Sequence, residues 1–413
     1  MSDISPAPSL TAPPASLPQA LPQRRAPLWR TLAVFTLTAV LSSGQLYVVI
    51  PLLHGMAAGW QTPQSGLTWL VTAFGVGYAA GFLLFGPLSD RYGRKRLICL
   101  GLPIAAVATA LVAVAPGPEI AIAFRVLQGV TVAIFPPAAM AYMAERIEPR
   151  HRMVALATVT SGFLAAAVLF QVVAQALGPI VGWRGIFLIS AVAFAVAAVA
   201  AAAVMLPDPS RELSGSFLSA YRAVPALLAT PALLLRYAAT VTILATFVAV
   251  YTGLQLGGPV GVAGSPDALM ALRISGLPSM IVVPLLTPLL GRIAASRRAA
   301  YLLALAALAL AAVAVIRPGL VGLALLLAVY VLGVAAGAPA LNENIGVIAG
   351  QARGTALALF TFSLFLGGSL GPQLATAFIT GGFGALMYGL AGILLLGVLA
   401  LLAATHTGRV TGS

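Results

Sequence analysis

Twelve apolar stretches of spanning length, set one after another between residues 30 and 404, constrain this chain more than any other feature. They occupy 30–53, 66–88, 97–115, 119–142, 153–177, 185–206, 236–257, 268–290, 299–316, 319–341, 355–380 and 384–404. About twenty apolar residues in helical form cross a hydrocarbon layer. In lipid every backbone N–H and C=O must be satisfied inside the protein, and a helix achieves this alone. The expected fold is therefore an all-α membrane protein with twelve transmembrane helices. Composition leaves little room for another class. Of 413 residues, 61% are hydrophobic and 8% charged, against roughly 25% charged in soluble domains. A soluble chain of this length could not cover so much apolar surface.

The longest connection separates the sixth and seventh stretches and divides the array into two halves of six. The expected organisation is a Pro/Ala/Ser-rich cytoplasmic tail over 1–28, read as disordered, a six-helix bundle over 29–206, a cytoplasmic connection over 207–235, a second bundle over 236–404 and a short tail over 405–413. The tail lacks the basic start and apolar run of a signal peptide. Basic residues collect in alternate connections, with Arg184 and Arg317 as the only ones in the loops assigned to the outside. This bias places both termini in the cytoplasm and the protein in the inner membrane. The net charge of +13 is thus a matter of topology, and no basic face or aromatic-basic interleaving points to nucleic acid. Cys99 is the single cysteine, which excludes an internal disulfide and a paired-thiol metal site.

The halves resemble each other. Arg152-Met153-Val154-Ala155-Leu156-Ala157 opens the fifth stretch and Arg353-Gly354-Thr355-Ala356-Leu357-Ala358 the eleventh. A proline followed by a glutamate precedes each, Pro137 with Glu145 and Pro339 with Glu343. Internal repeats on this scale are a mark of secondary transporters, whose substrate site lies between them.

Between the second and third stretches stands Gly86-Pro87-Leu88-Ser89-Asp90-Arg91-Tyr92-Gly93-Arg94-Lys95-Arg96, and the fourth carries Arg125-Val126-Leu127-Gln128-Gly129. The first matches G-x-L-x-D-R-x-G-R-[KR] at each defined position and the second matches R-x-x-Q-G. Together with the twelve stretches they resemble the major facilitator superfamily over nearly the whole chain after the tail. Gly86 is expected to let two helices approach closely, Gly93 to permit a tight turn, and the cluster Arg91, Arg94 and Lys95 to anchor the loop inside. The resemblance implies two pseudo-symmetric bundles that rock in alternating access. It also implies a latch between Asp90 and the start of the eleventh helix, near Gly354 and Thr355. The layout looks most like bacterial drug:proton antiporters. It departs from that branch in the fifth stretch, where Phe170, Gln171 and Gln175 stand in place of a Gly-rich run and Gly178-Pro179 comes only at the end.

Ionisable residues at bilayer depth are costly and mark function. Arg125 and Arg273 fall within spans, and no Asp or Glu lies mid-span. The candidate cavity and coupling residues are Arg125, Gln128, Gly129, Arg273, Gln45, Gln171, Gln175, Tyr251, Gln255 and Asn342, with Tyr78 beside them. His54, Glu119, Asp267 and Glu343 are the peripheral candidates for proton exchange. Two arginines without a carboxylate favour neutral or anionic substrates over cations. No phosphate-binding loop, metal-ligand set or nucleophile motif is present, so no enzyme activity, metal or cofactor is expected. The expected function is secondary transport by a monomer in the bilayer, exporting small amphipathic compounds, with protons as the driving partner. The alternatives are a carrier of neutral or anionic metabolites in either direction and a non-transporting sensor or scaffold.

Overall fold

A computed structural model of the chain describes residues 25–208, 221–290 and 292–410. The expected tail up to Arg24, the middle of the connection between the halves, the last three residues and the side chain of Asp90 lie outside the described residues. The rest is helical, with no strand among the described residues. In the first half the helices are α1 (Leu28–Tyr47), α2 (Val49–Trp60), α3 (Gln64–Leu67), α4 (Trp69–Tyr92), α5 (Arg94–Ala113), α6 (Pro118–Val132), α7 (Phe135–Arg146) and α8 (Pro149–Val204). The short α9 (Val224–Ala229) belongs to the connection. Then follow α10 (Pro231–Gly257), α11 (Pro266–Ile274), α12 (Leu277–Leu290), α13 (Ala295–Ile316), α14 (Leu320–Ile348), α15 (Arg353–Ile379) and α16 (Gly382–Val410).

Proline explains where these helices break. A proline inside a helix cannot donate to the carbonyl four residues earlier and its ring clashes with it. Pro51 stands four residues after Tyr47, where α1 and α2 meet at a 49° bend. Pro136 and Pro137 stand four residues after Val132 and Ala133, where α6 gives way to α7. Pro278 stands four residues after Ile274, where α11 ends. The first, fourth and eighth stretches, expected as unbroken spans, are thus each two helical pieces. The fifth and sixth, expected as separate, are two helices that meet at a kink within α8, where Gly182 leaves helical geometry (φ 69°, ψ 168°). By length and apolarity, nine helices among the described residues can cross a membrane, or ten if the bent α1–α2 pair is one span.

Packing repeats between the halves. In the first, α1 lies along α8, α4 along α6, and α5 against α6 and α8. In the second, α10 lies along α15, α12 against α14, and α13 against α14 and α16. The halves meet where α4 packs on α15 and where α8 meets α11 and α12. The outward faces of α5 and α8 carry Leu100, Ile104, Val107, Val192, Val196 and Val199, all exposed, as lipid-facing surfaces require.

Candidate functional site

The contact between halves leaves a cavity of about 990 Å³. Helices of both halves line it: α1, α4, α7 and α8 on one side, and α10, α12, α14 and α15 on the other. It runs to the helix ends that carry the signature loop, since Gly86, Ser89, Glu343, Arg353 and Thr355 all line it. Its wall is largely apolar and aromatic, with Tyr47, Phe82, Phe163, Phe247, Phe360 and Phe365, and with Met140 and Met280 as adaptable fillers. Aromatic pairs bridge the halves deep in the bundle. Tyr47 meets Phe247 edge-on at 6.0 Å, and Phe365 stacks on Phe82 at 5.3 Å and meets Tyr78 edge-on at 4.6 Å. Among the described residues, the charged ones that line it are Glu343 and Arg353.

At the opposite end two sets of hydrogen bonds join the halves. Between α4 and α15, the Thr72 hydroxyl donates to the Ser369 carbonyl at 2.6 Å, and the Gln373 amide donates to the hydroxyls of Thr72 (3.1 Å) and Thr68 (3.4 Å). Between α8 and the second half, Arg273 acts as a clasp. Its Nε donates to Gln171 at 3.3 Å, its Nη1 to Gln175, and its Nη2 to Gln255 at 2.8 Å. Gln175 in turn donates to the Pro266 carbonyl. Gln171 and Gln175, four residues apart, share one face of α8. The acceptors named for this buried guanidinium are thus neutral amides.

Arg125 is fully buried in the first half. Nε donates to the Leu70 carbonyl at 3.0 Å, Nη2 to the Gln45 carbonyl at 2.8 Å, and Nη1 to Gln128 Oε1 at 2.6 Å. Gln128 Nε2 passes the network on to Gln45 Oε1 (3.1 Å) and to the hydroxyl of Thr109 (2.9 Å). The rings of Phe74 and Phe187 lie 4.4 and 5.8 Å from the guanidinium carbon, a cation–π arrangement. Gly129 allows this by closeness. A Cβ there would sit 2.3 Å from the Phe74 carbonyl oxygen, so only glycine lets α6 lie this near α4. Four helices, α1, α4, α5 and α6, are tied by one arginine and its partners.

The signature loop is held by its own half. Gly93 adopts φ 94°, and a Cβ would meet Asp208 at 2.3 Å. Asp208 thereby reaches the first turn of α5 and accepts from the backbone N–H groups of Lys95 and Arg96, each at 3.1 Å, as an acid at a helix N-terminus does. Lys95 Nζ donates to the Met205 carbonyl at 2.6 Å, and Arg94 pairs with Glu145 at 2.9 Å. The second half repeats the last pair: Arg298, at the start of α13, pairs with Glu343, near the end of α14.

Of the expected cavity residues, Asn342 lines the cavity, and so do Glu343 and Gly86. Gly86 differs from its expected role, because a Cβ there would meet nothing within 4 Å; the close approach is made instead by Gly129 on α6. Gln45, Arg125, Gln128 and Gly129 belong to the α1–α4–α6 network, and Gln171, Gln175, Gln255 and Arg273 to the clasp. None of these is among the cavity-lining residues. Tyr251 is buried with its hydroxyl unpaired. Glu119 and Asp267 occupy the first turns of α6 and α11, and His54 is exposed and bonded to Gln64 at 3.1 Å. Arg91 lies over Tyr92 at 5.7 Å. Sequence reading missed the aromatic wall, Asp208 and Tyr221. A signal for the wall is present in the spacing of Ser43 with Tyr47, and of Phe82 with Gly86, each pair one helical turn apart.

Paired helical bundles that share a cavity between apolar, lipid-facing helices define a polytopic membrane transporter. The sequence matches the Major Facilitator Superfamily over residues 35–372, and the chain belongs to that superfamily. A probable transporter of Streptomyces coelicolor is 29% identical over 353 residues, covering 83% of this chain and 80% of that protein. The methylenomycin A resistance protein of Bacillus subtilis is 30% identical over 36% of this chain and 32% of its own length. The multidrug efflux pump LfrA of Mycolicibacterium smegmatis is 30% identical over 39% and 32% respectively. The crystal structure of a D-xylose–proton symporter superposes with a TM-score of 0.70 at 17% identity, covering 91% of this chain and 96% of that one, which shows the shared fold.

Proposed function

We propose that the protein is an exporter of small, largely apolar amphipathic compounds that works by alternating access between two six-helix bundles, with α8 counted as two spans and α11–α12 as one. The observation that carries this reading is the aromatic cavity between the halves. It reaches the signature-loop end, while hydrogen bonds of α4 with α15 and of α8 with α11 tie the halves at the other. Apolar surface supplies binding energy without demanding a fixed polar pattern, as suits an exporter of varied compounds. Relatives named for efflux and resistance support the direction. The bias of basic residues supports a loop end in the cytoplasm, both termini on that side, and residence in the inner membrane as a monomer. For proton exchange Glu343 is the candidate, since of His54, Glu119, Asp267 and Glu343 it is the one that lines the cavity. Asp90 stays the candidate for a latch to the start of α15.

Purified protein in liposomes with an imposed pH gradient tests this. Neutral aromatic fluorophores are expected to move against their gradient when the proton gradient is present and to stop when it is collapsed. Transport of hydrophilic sugars or metabolites with no movement of the fluorophores would replace the export reading with the carrier alternative. Glu343→Gln is expected to uncouple fluorophore movement from the pH gradient.

A further inference from the structure

Among the described residues, the cavity wall includes one from the connection between the halves that ends in a hydroxyl. Tyr221 lines the cavity, and its Oη donates to the Leu83 carbonyl of α4 at 2.7 Å. That carbonyl is available for a reason written in the sequence. Its ordinary helical donor would be the N–H of residue 87, and residue 87 is proline. Leu83 and Pro87 both line the cavity as well. Burial raises the Tyr221 phenol above its ordinary range.

We infer that the Leu83 carbonyl and the wall around it form a subsite for an aromatic ring bearing a hydroxyl, which the phenol of Tyr221 occupies from within the chain. The site's chemistry is that of its occupant: an aromatic ring in a wall that also holds Phe82, and one O–H directed to a carbonyl whose usual helical donor is replaced by proline. A ligand of this kind competes with Tyr221 for the same acceptor. A ring of equal size without the donor gains only the apolar part. The inference rests on reading the cavity as the substrate's.

The probes are 2-naphthol and 2-methoxynaphthalene, alike in size and differing in the donor. Their binding to the full chain in lipid nanodiscs is read by fluorescence, with empty nanodiscs as reference. Tyr221→Ala, which vacates the subsite, is expected to tighten 2-naphthol by roughly twofold to tenfold, the range of one net hydrogen bond, while 2-methoxynaphthalene changes much less. Pro87→Ala returns an N–H to the Leu83 carbonyl. Added to Tyr221→Ala, it is expected to erase the preference for 2-naphthol. Thermal unfolding of each variant in the nanodisc verifies that it is folded. If both probes tighten equally on Tyr221→Ala, only space was opened and the subsite is overturned, with the apolar cavity reading intact. A preference for 2-naphthol that survives Pro87→Ala overturns the Leu83 assignment. If neither probe binds any variant, the apolar cavity and the subsite are overturned together.

Discussion

Removing the Gln175 side chain should open the end of the bundle opposite the signature loop. Gln175 makes two bonds across the halves: it accepts from Nη1 of Arg273 and donates to the Pro266 carbonyl. A hydrogen bond to a charged group contributes about 1.5–3 kcal/mol and a neutral one about 0.5–1.5. Gln175→Leu forfeits both and leaves one arm of a buried guanidinium short of its acceptor, an upper bound of roughly 2–4.5 kcal/mol. Gln175 is itself only half-buried, so water can restore part of this. Halving the bound leaves about 1–2 kcal/mol, or a shift of roughly 5–30-fold in the ratio of closed to open states at that end. Spin labels at the exposed positions His54 and Val260, in a Cys99→Ser background, report the separation of the halves there by pulsed dipolar spectroscopy. Arg273→Met is the informative comparison. It removes the bonds to Gln171, Gln175 and Gln255 and leaves Gln175 donating to Pro266, but it also removes the cost of keeping a charge out of water, so it should open the end no more than Gln175→Leu does. A Gln175→Leu distribution within twofold of the unsubstituted protein would refute the clasp. A much larger opening in Arg273→Met would refute the desolvation argument.

Arg125→Ala takes a donor from the carbonyls of Leu70 and Gln45 and from Gln128 Oε1, and should cost about 1–3 kcal/mol, seen as a lowered unfolding midpoint and impaired transport. Arg125→Lys should recover only part, because one ammonium cannot reproduce the planar fork. Gly129→Ala forces a Cβ to 2.3 Å from the Phe74 carbonyl oxygen, so α6 must move from α4; a loss of about 1–3 kcal/mol is expected, with hydrogen exchange increased in both helices. Asp208→Ala removes the acceptor from the first turn of α5 at about 0.5–2 kcal/mol, and faster exchange at the Lys95 and Arg96 amides is the measurement.

The helical, membrane-spanning class and the superfamily were legible because both rest on local signals, namely apolar length and the contiguous loop from Gly86 to Arg96. The breaks were legible in principle and missed in practice. Apolar length alone does not register that Pro51, Pro137 and Pro278 each sit four residues past a point where the chain must bend. The polar candidates were harder to place, for a physical reason. A glutamine or arginine in an apolar helix has to be satisfied somewhere. Sequence reveals that need and not whether the partner is a substrate or another helix. Arg125 and Arg273 found their partners in carbonyls and amides of neighbouring helices. Asp208 was passed over because its role depends on the chain returning from the end of α8 to the start of α5, a contact separated by more than a hundred residues in sequence.

The same prolines alter what polarity means in this cavity. Besides its polar side chains, helix backbones at its wall lack some of their usual donors. Pro87 withholds a donor from Leu83, and Pro339 does so from Ala335; all four residues line the cavity, one pair from each half. A carbonyl freed in this way is a strong acceptor held at a fixed place by the helix that carries it. It brings no charge, and so avoids the cost of burying one in lipid. Neutral compounds with a donor and an apolar body can then be bound by wall and backbone together, without a carboxylate at mid-membrane. On this reasoning the lack of mid-span acids fits a cavity in which main-chain acceptors add to uncharged side chains such as Ser43, Thr160 and Asn342. The charged lining residues Glu343 and Arg353 stand near the ends of α14 and α15, where water can reach them, rather than deep among the aromatic rings.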